Sequence, residues 1–386
     1  LFFWDSSAGF GTNRGVYASS IGGASGVPAS VFSLLVTTDR YVVAFGCTDL
    51  TTGILDPLLI RWSNQESFTQ WTPAATNTSG DLRLNSGSYI VTAIKARQEI
   101  LIWTDVSVHS FQSLGPPFIF GQQTLASNIT IASPNAAIAA NNNVYWMGRN
   151  QFYVYTGRVE VLPCAVQQYI FSDVDFAQAQ QVYCGLNESF GEVTWFYTSV
   201  NATSSQMDKY VTYNFVDNVW YYGSLTRTAW LYIPTRDALP YATSGGYGDT
   251  TGTLFSHEVG NDDGSTSPVT AITAYAKAAD IDIGDGEHFM FVDKVLPDFL
   301  FAGSDAATPQ VNISVAARRN AGGPYLTTDA RTVTDTSSSF NNTLFTEQLW
   351  MRLRGRQVEI EIRSTTAGVK WRLGALRLSA RQDGKR

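Results

Sequence analysis

Apolar strand-length runs recur along this chain, each meeting a short polar turn and returning as a second run that carries a large aromatic. The pattern is plain at 33–46 (SLLVTTDRYVVAFG), 91–105 (VTAIKARQEILIWTD), 136–149 (AAIAANNNVYWMGR) and 182–198 (VYCGLNESFGEVTWFYT). The turns fall at 38–40, 96–98, 141–143 and 187–191. Asn, Asp and Gly there tolerate the positive φ of tight hairpins. Further strands are expected at 16–21, 58–62, 106–114, 152–159 and 210–222, with a weaker copy at 253–259. Helix signal is sparse: 173–182 (DVDFAQAQQV), with an acidic start, makes a turn or two.

The returning aromatics are Trp4, Phe45, Trp103, Trp146 and Trp195, separated by 41, 58, 43 and 49 residues. Four-stranded propeller blades repeat at about 40–50 residues. One blade cannot bury both its faces alone, so large aromatics fill the wedge between neighbours. The pattern predicts an all-β chain of β-propeller-like repeats over 1–268, with those five residues packing the blades. The separation of 58 accommodates an insertion at 63–87, rich in Thr, Asn, Ser and Gly, which reads as an exposed loop. A generic β-sandwich is the competing architecture, because its strands also recur every 8–12 residues.

The pattern changes after Pro268. Strands are expected at 311–317, 349–353, 357–362 and 370–378, with Gly355 and Ala367-Gly368 at turns. Residues 269–386 form a second antiparallel β unit, either a sandwich or closing blades; the pattern alone leaves both open.

Composition narrows the class. Only 15% of the 386 residues are charged and 13% are aromatic. That excludes a disordered chain, which lacks enough apolar surface to fold, and a coiled coil, which needs charged flanks. No stretch approaches the roughly 18 apolar residues of a membrane-crossing helix. Net charge is −7, but 345–386 holds ten basic and four acidic residues, leaving −13 on the rest. Within that basic end Arg352, Arg354 and Arg356 alternate with Leu353 and Gly355, so their guanidinium groups are expected on one face. Arg363, Arg372, Arg377, Arg381 and Arg386 continue the cluster. It reads either as an Arg face for an acidic partner or a phosphate backbone, or as a solvated face paired with Glu359 and Glu361.

Chemistry-bearing motifs are few. Cys47, Cys164 and Cys184 match no metal spacing and read as buried thiols. Three histidines, His109, His257 and His288, give a His triad or His-rich metal site little to work with. His257-Glu258 lacks the second His of a zinc-peptidase motif, and 280–286 lacks the Gly and terminal carboxylate of an EF-hand loop. Asn77, Asn128, Asn187, Asn201, Asn312 and Asn341 fit Asn-x-Ser/Thr. The chain opens at Leu1 inside the apolar run Leu1-Phe2-Phe3-Trp4, so a longer polypeptide is expected to precede it.

Several stretches carry a family likeness: Arg61-Trp62-Ser63 with Trp71-Thr72-Pro73, Trp103-Thr104-Asp105, NVYWMG at 143–148 and FYVYTG at 152–157. So do Leu162-Pro163-Cys164, YVTYN at 210–214, WYYG at 220–223, RTAW at 227–230, Trp371-Arg372-Leu373-Gly374 and Arg381-Gln382-Asp383-Gly384. Over roughly 1–386 the chain resembles the nozzle, or packaged-DNA stabilisation, proteins of short-tailed bacteriophages. The resemblance implies a non-enzymatic virion protein of the tail, without cofactor. It implies a β-propeller core and a six-fold ring below the portal and adaptor, with tail fibres or spikes as further neighbours. Such a ring extends the channel, retains packaged DNA and opens for ejection, with DNA passing through transiently. Arg352, Arg354, Arg356, Arg372, Arg377 and Arg381 are the candidate partner or DNA contacts. The alternative is a carbohydrate-binding propeller, a lectin or glycosidase on a tail or cell surface, with exposed aromatics stacking on sugars.

Overall fold

Four antiparallel meanders of four strands follow one another along the first 224 residues, each paired in chain order. The first runs Val31–Val36, Val42–Thr48, Leu55–Trp62, Gly80–Arg83, and the second Ile90–Lys95, Ile100–Thr104, Ser107–Ser113, Phe120–Ser127. The third runs Ala137–Ala140, Asn143–Met147, Phe152–Tyr155, Val159–Leu162, and the fourth Tyr183–Asn187, Glu192–Tyr197, Lys209–Asn214, Val219–Ser224. A fifth sheet has three strands, Ala229–Leu231, Tyr241–Thr243 and Leu254–Ser256. This is a computed structural model, and it describes all residues except 6, 8–14, 205, 236–238, 245–251, 265–266, 336–345 and 386. Asn341 and Arg386 therefore lie outside the described residues.

The chain divides into two units, Leu1–Glu258 and Val259–Arg386. The division falls ten residues before the expected one. Asp262–Asp263 pairs with Thr270–Ala271, and the Asp262 carboxylate accepts the Gly368 N–H at 2.8 Å, tying this stretch to the second unit.

The first unit has the propeller-like repeat the spacing predicted. First strands of consecutive sheets touch one another in series, from Val31–Val36 through to Ala229–Leu231. The second strands are sandwiched between sheets, so Ile100–Thr104 is buried throughout and Val42–Thr48 and Glu192–Tyr197 nearly so. Burial on both faces explains continuous apolar runs where a half-exposed strand would alternate. The hairpins turn where expected: Arg40, Asn141, Asn142 and Gly191 all have positive φ.

Two expectations change. The 63–87 insertion is not simply an exposed loop, because it supplies the fourth strand of the first sheet, Gly80–Arg83, and buries Trp71 and Leu84 completely. Trp71 closes one face of that sheet against Ala44 and Leu59, with its indole N–H donating to the Phe68 carbonyl at 2.8 Å. The helical signal at 173–182 is shifted: an α-helix spans Gln167–Asp173, and Phe176–Gln181 is a 3₁₀ segment capped by the Asp175 side chain.

The second unit is a sandwich. One sheet centres on Gln357–Ser364 and Gln310–Arg318, with Ala274–Lys277, Ile281–Asp282 and Thr327–Thr334 outside them. The other has Met290–Leu296 between Leu349–Gly355 and Arg377–Gln382. Alternate residues of both sheets, among them Val292, Leu353, Ile313 and Ile360, meet in one core.

Candidate interaction surface

Strand Leu349–Gly355 alternates strictly: Leu349, Met351, Leu353 and Gly355 are buried, while Trp350, Arg352 and Arg354 are exposed. Directly opposite residues share a face, so the register of its neighbours extends that surface. Phe291 faces Arg354 on one side and Arg381 on the other. Lys294 faces Trp350 and Ser379, and Leu296 faces Arg377. Arg352, Arg354, Lys294, Arg377 and Arg381 thus lie on one outward face, whose reverse is the sandwich core.

Aromatic rings and two carboxylates hold three of these cations, Lys294, Arg354 and Arg381. Arg381 lies over Phe291 at 4.9 Å, Arg354 over Phe289 at 4.1 Å and Lys294 over Trp350 at 5.5 Å. Each such contact is attractive because the ring face is electron-rich. Arg354 also pairs with Asp383. The Asp293 carboxyl is held below the usual range, first by the Ser379 hydroxyl, with Lys294 and Arg381 adding. Among the described residues Arg352, Arg377 and Arg381 form no ion pair.

Glu359 and Glu361 do not neutralise this face. They project from the other sheet, where Glu359 pairs with Lys277 at 2.8 Å and Glu361 with Arg363 at 2.6 Å. Arg356 does not share the expected face. It follows the strand end, and its guanidinium donates to the carbonyls of Gly286, Glu287 and Lys385, binding chain segments of its own unit. Arg372 is exposed in a separate two-stranded ladder with Phe299–Leu300. Lys294 and Phe291 escaped the sequence reading because the register slips between Val292 and Lys294, a bulge that breaks the alternation.

The predicted blade aromatics behave differently. Phe45, Trp103, Trp146 and Trp195 are fully buried, each touching an aromatic of an adjacent sheet. Phe45 meets Phe111 at 6.2 Å, Trp103 meets Trp146 at 5.3 Å, Trp195 meets Phe152 at 4.9 Å, and Phe196 meets Trp230 at 5.4 Å. Trp4 is not fully buried like the other four: it is 39% exposed beyond the short strand Phe2–Phe3. Of the ten Trp, Trp62 and Trp71 are buried as well, whereas Trp350 is exposed.

His109 is buried, with Ser107 Oγ 2.8 Å from its Nε2. All three cysteines are free, and burial raises the Cys47 thiol to about 12. Among the described residues no group of three His, Cys, Asp or Glu could hold a metal. None of their helices is long and apolar enough to cross a membrane.

No protein-family model and no curated protein matches the chain. Among solved structures it is similar to an exo-β-1,3-galactanase from Phanerochaete chrysosporium solved with galactose, at 10% identity and a TM-score of 0.26, covering 90% of this chain and 95% of that one. It is similar also to the N-terminal domain of Nup159, at 10% identity and a TM-score of 0.26, covering 86% of this chain and 89% of that one.

Proposed function

We propose that this chain is a non-enzymatic structural protein of a phage tail nozzle, assembling as a ring whose subunits join through the basic face of the C-terminal sandwich. The observation that carries the reading is that face: five cations on one side of a sheet, with the nearby glutamates committed to the opposite sheet. The remainder of the chain carries a net −13, so a neighbouring copy of the chain offers the complementary charge. Arginine suits such a contact, because its planar fork loses little entropy per bond formed. Acidic walls elsewhere let DNA slide, since counterion-releasing contacts with Lys or Arg are what retard it.

Half of the tryptophans are withdrawn from sugar stacking, while Trp4 and Trp350 remain exposed. Trp62, Trp71, Trp103, Trp146 and Trp195 are enclosed in the sheet cores and present no face to a ligand. A glycan array and mass photometry on the purified chain separate the two readings. Ring-sized oligomers without glycan binding support the nozzle; a monomer that binds a defined sugar contradicts it.

A further inference from the structure

One end of the fourth sheet forms an acidic tip made of two turns tied to each other. From 160 to 226 the chain has seven acidic residues against one basic residue, Lys209, which is committed to Asp173 at 2.8 Å. The turns at 188–191 and 215–218 lie at the same end of the sheet, because Glu192 opens one strand directly opposite Asn214, which closes the next. Asn214 fastens them together. Its Oδ1 accepts the N–H groups of Val216 and Asp217, each at 2.9 Å, and its Nδ2 donates to the Phe190 carbonyl at 3.1 Å. The Phe215 N–H donates to the Gly191 carbonyl at 2.8 Å. Val216 packs onto Gly191, whose backbone is left-handed at φ 68; a Cβ there would come within 2.5 Å of Val216 Cγ2. The tip therefore holds Phe190 and Val216 out to solvent, 50% and 67% exposed, with the exposed Glu188 and Asp217 beside them. Among the described residues neither carboxylate is in an ion pair. The basic face of the C-terminal sandwich is the converse. Trp350 is 59% exposed, with Lys294 over its ring and Arg352 next on the same side of its strand. Five cations stand there against two carboxylates, Asp293 and Asp383, an excess of three positive charges.

We infer that the basic face receives the fourth-sheet tip of a second copy of this chain, Phe190 and Val216 meeting Trp350 and Phe291, and Glu188 and Asp217 meeting Arg352, Arg377 and Arg381. The inference rests on the ring reading and names the surface that the neighbouring subunit brings to it. Apolar groups at the centre with charges around them are the usual anatomy of a protein interface, and Trp and Arg are its commonest anchors. The tip is ordered by its own hydrogen bonds before contact, so little conformational freedom is lost on docking. Two basic faces meeting each other would oppose like charges, which is costly, whereas face and tip attract. Because the two surfaces are different patches, each docked copy still offers one free tip and one free face. Such a head-to-tail contact repeats from copy to copy and yields a ring where the rotation closes.

The test is sedimentation velocity of the full chain at low salt, with circular dichroism to confirm folding. Glu188→Arg with Asp217→Arg is expected to weaken self-association at least about tenfold, and Arg352→Glu with Arg381→Glu to do the same. A 1:1 mixture of these two variants is expected to form mixed oligomers, because the unaltered tip of one meets the unaltered face of the other. If the reversed tip does not fold, Glu188→Gln with Asp217→Asn decides, with a loss of about threefold or more expected. Assembly lost on reversing the face but kept on altering the tip, or a mixture that stays monomeric, overturns the tip as partner and leaves the ring reading standing. A parent chain that stays monomeric, or assembly untouched by either reversal, overturns both.

Discussion

The indole N–H of Trp195, in the fourth sheet, donates to the carbonyl of Ala136, which leads into the third sheet, at 2.9 Å. Trp195 therefore wedges two sheets apart at a fixed spacing and hydrogen-bonds them together. Trp146 and Trp103 pack edge to face one interface earlier, and among the described residues neither indole N–H has a hydrogen-bond partner. Trp195→Ala is expected to cost about 3–5 kcal/mol, as for other buried aromatics. Trp195→Phe is expected to cost about 1 kcal/mol more than Trp146→Phe, because only the former loses a hydrogen bond. Denaturant unfolding followed by near-UV circular dichroism measures both; equal costs would remove the bonding role from Trp195.

The arginines of the C-terminal unit divide by what they touch. Arg356→Ala removes a charged donor from three carbonyls and is expected to destabilise the sandwich by about 2 kcal/mol. Arg352→Ala is expected to stay within about 0.5 kcal/mol, as an exposed residue away from such contacts. Thermal unfolding of the two variants checks the sorting, and the reverse order would contradict it.

Charge reversal on the basic face tests the contact it makes. The double variant Arg352→Glu, Arg381→Glu is expected to keep the monomer folded and to lower oligomer content at ordinary salt. Assembly of the parent chain is expected to weaken as salt rises, since exposed charges are screened beyond a Debye length of about 8–10 Å. Sedimentation velocity at two ionic strengths reads this. Assembly indifferent to both salt and reversal would move the interface elsewhere.

His257 gives a pH dependence. Burial, and then the charge of Arg227, lower it to about 4 from its ordinary 6.5. A folded-state value below the unfolded one means that the unfolded chain binds more protons between those limits. The contribution of His257 is therefore complete above about pH 6.5 and is lost as pH falls toward 4. His257→Gln is expected to flatten the dependence of Tm on pH across that window, and an unchanged slope would exclude His257 as its source.

Much of the first unit could be read from local sequence because its second strands are covered on both faces. VVAFGCT, ILIWT and EVTWFY are apolar runs for that reason, and the Asn141-Asn142 turn carries its own backbone signal. The partners of the wedge aromatics, Phe111, Phe152 and Trp230, were not legible, since contacts between sheets leave no trace in a strand's own period. Trp71 and Leu84 lie in the polar stretch 63–87, where scattered apolar residues carry no strand period that would mark them as buried. Trp4 fitted the spacing, yet among the described residues the strand before it pairs only with Val16–Tyr17. In the sandwich, the alternation of Arg352 and Arg354 was plain, but the sheet to which Glu359 and Glu361 belong was not. A turn reverses the chain at Gly355 and sends the next strand across the core, which no local pattern encodes.

Cryo-electron microscopy of phage particles carrying this protein tests the central proposal most directly. The account predicts six copies around the tail axis below the adaptor, with the face bearing Arg352, Arg354, Lys294, Arg377 and Arg381 against an acidic surface of a neighbouring protein. Density for the chain away from the axis, or with that face open to solvent in the assembled tail, would contradict it.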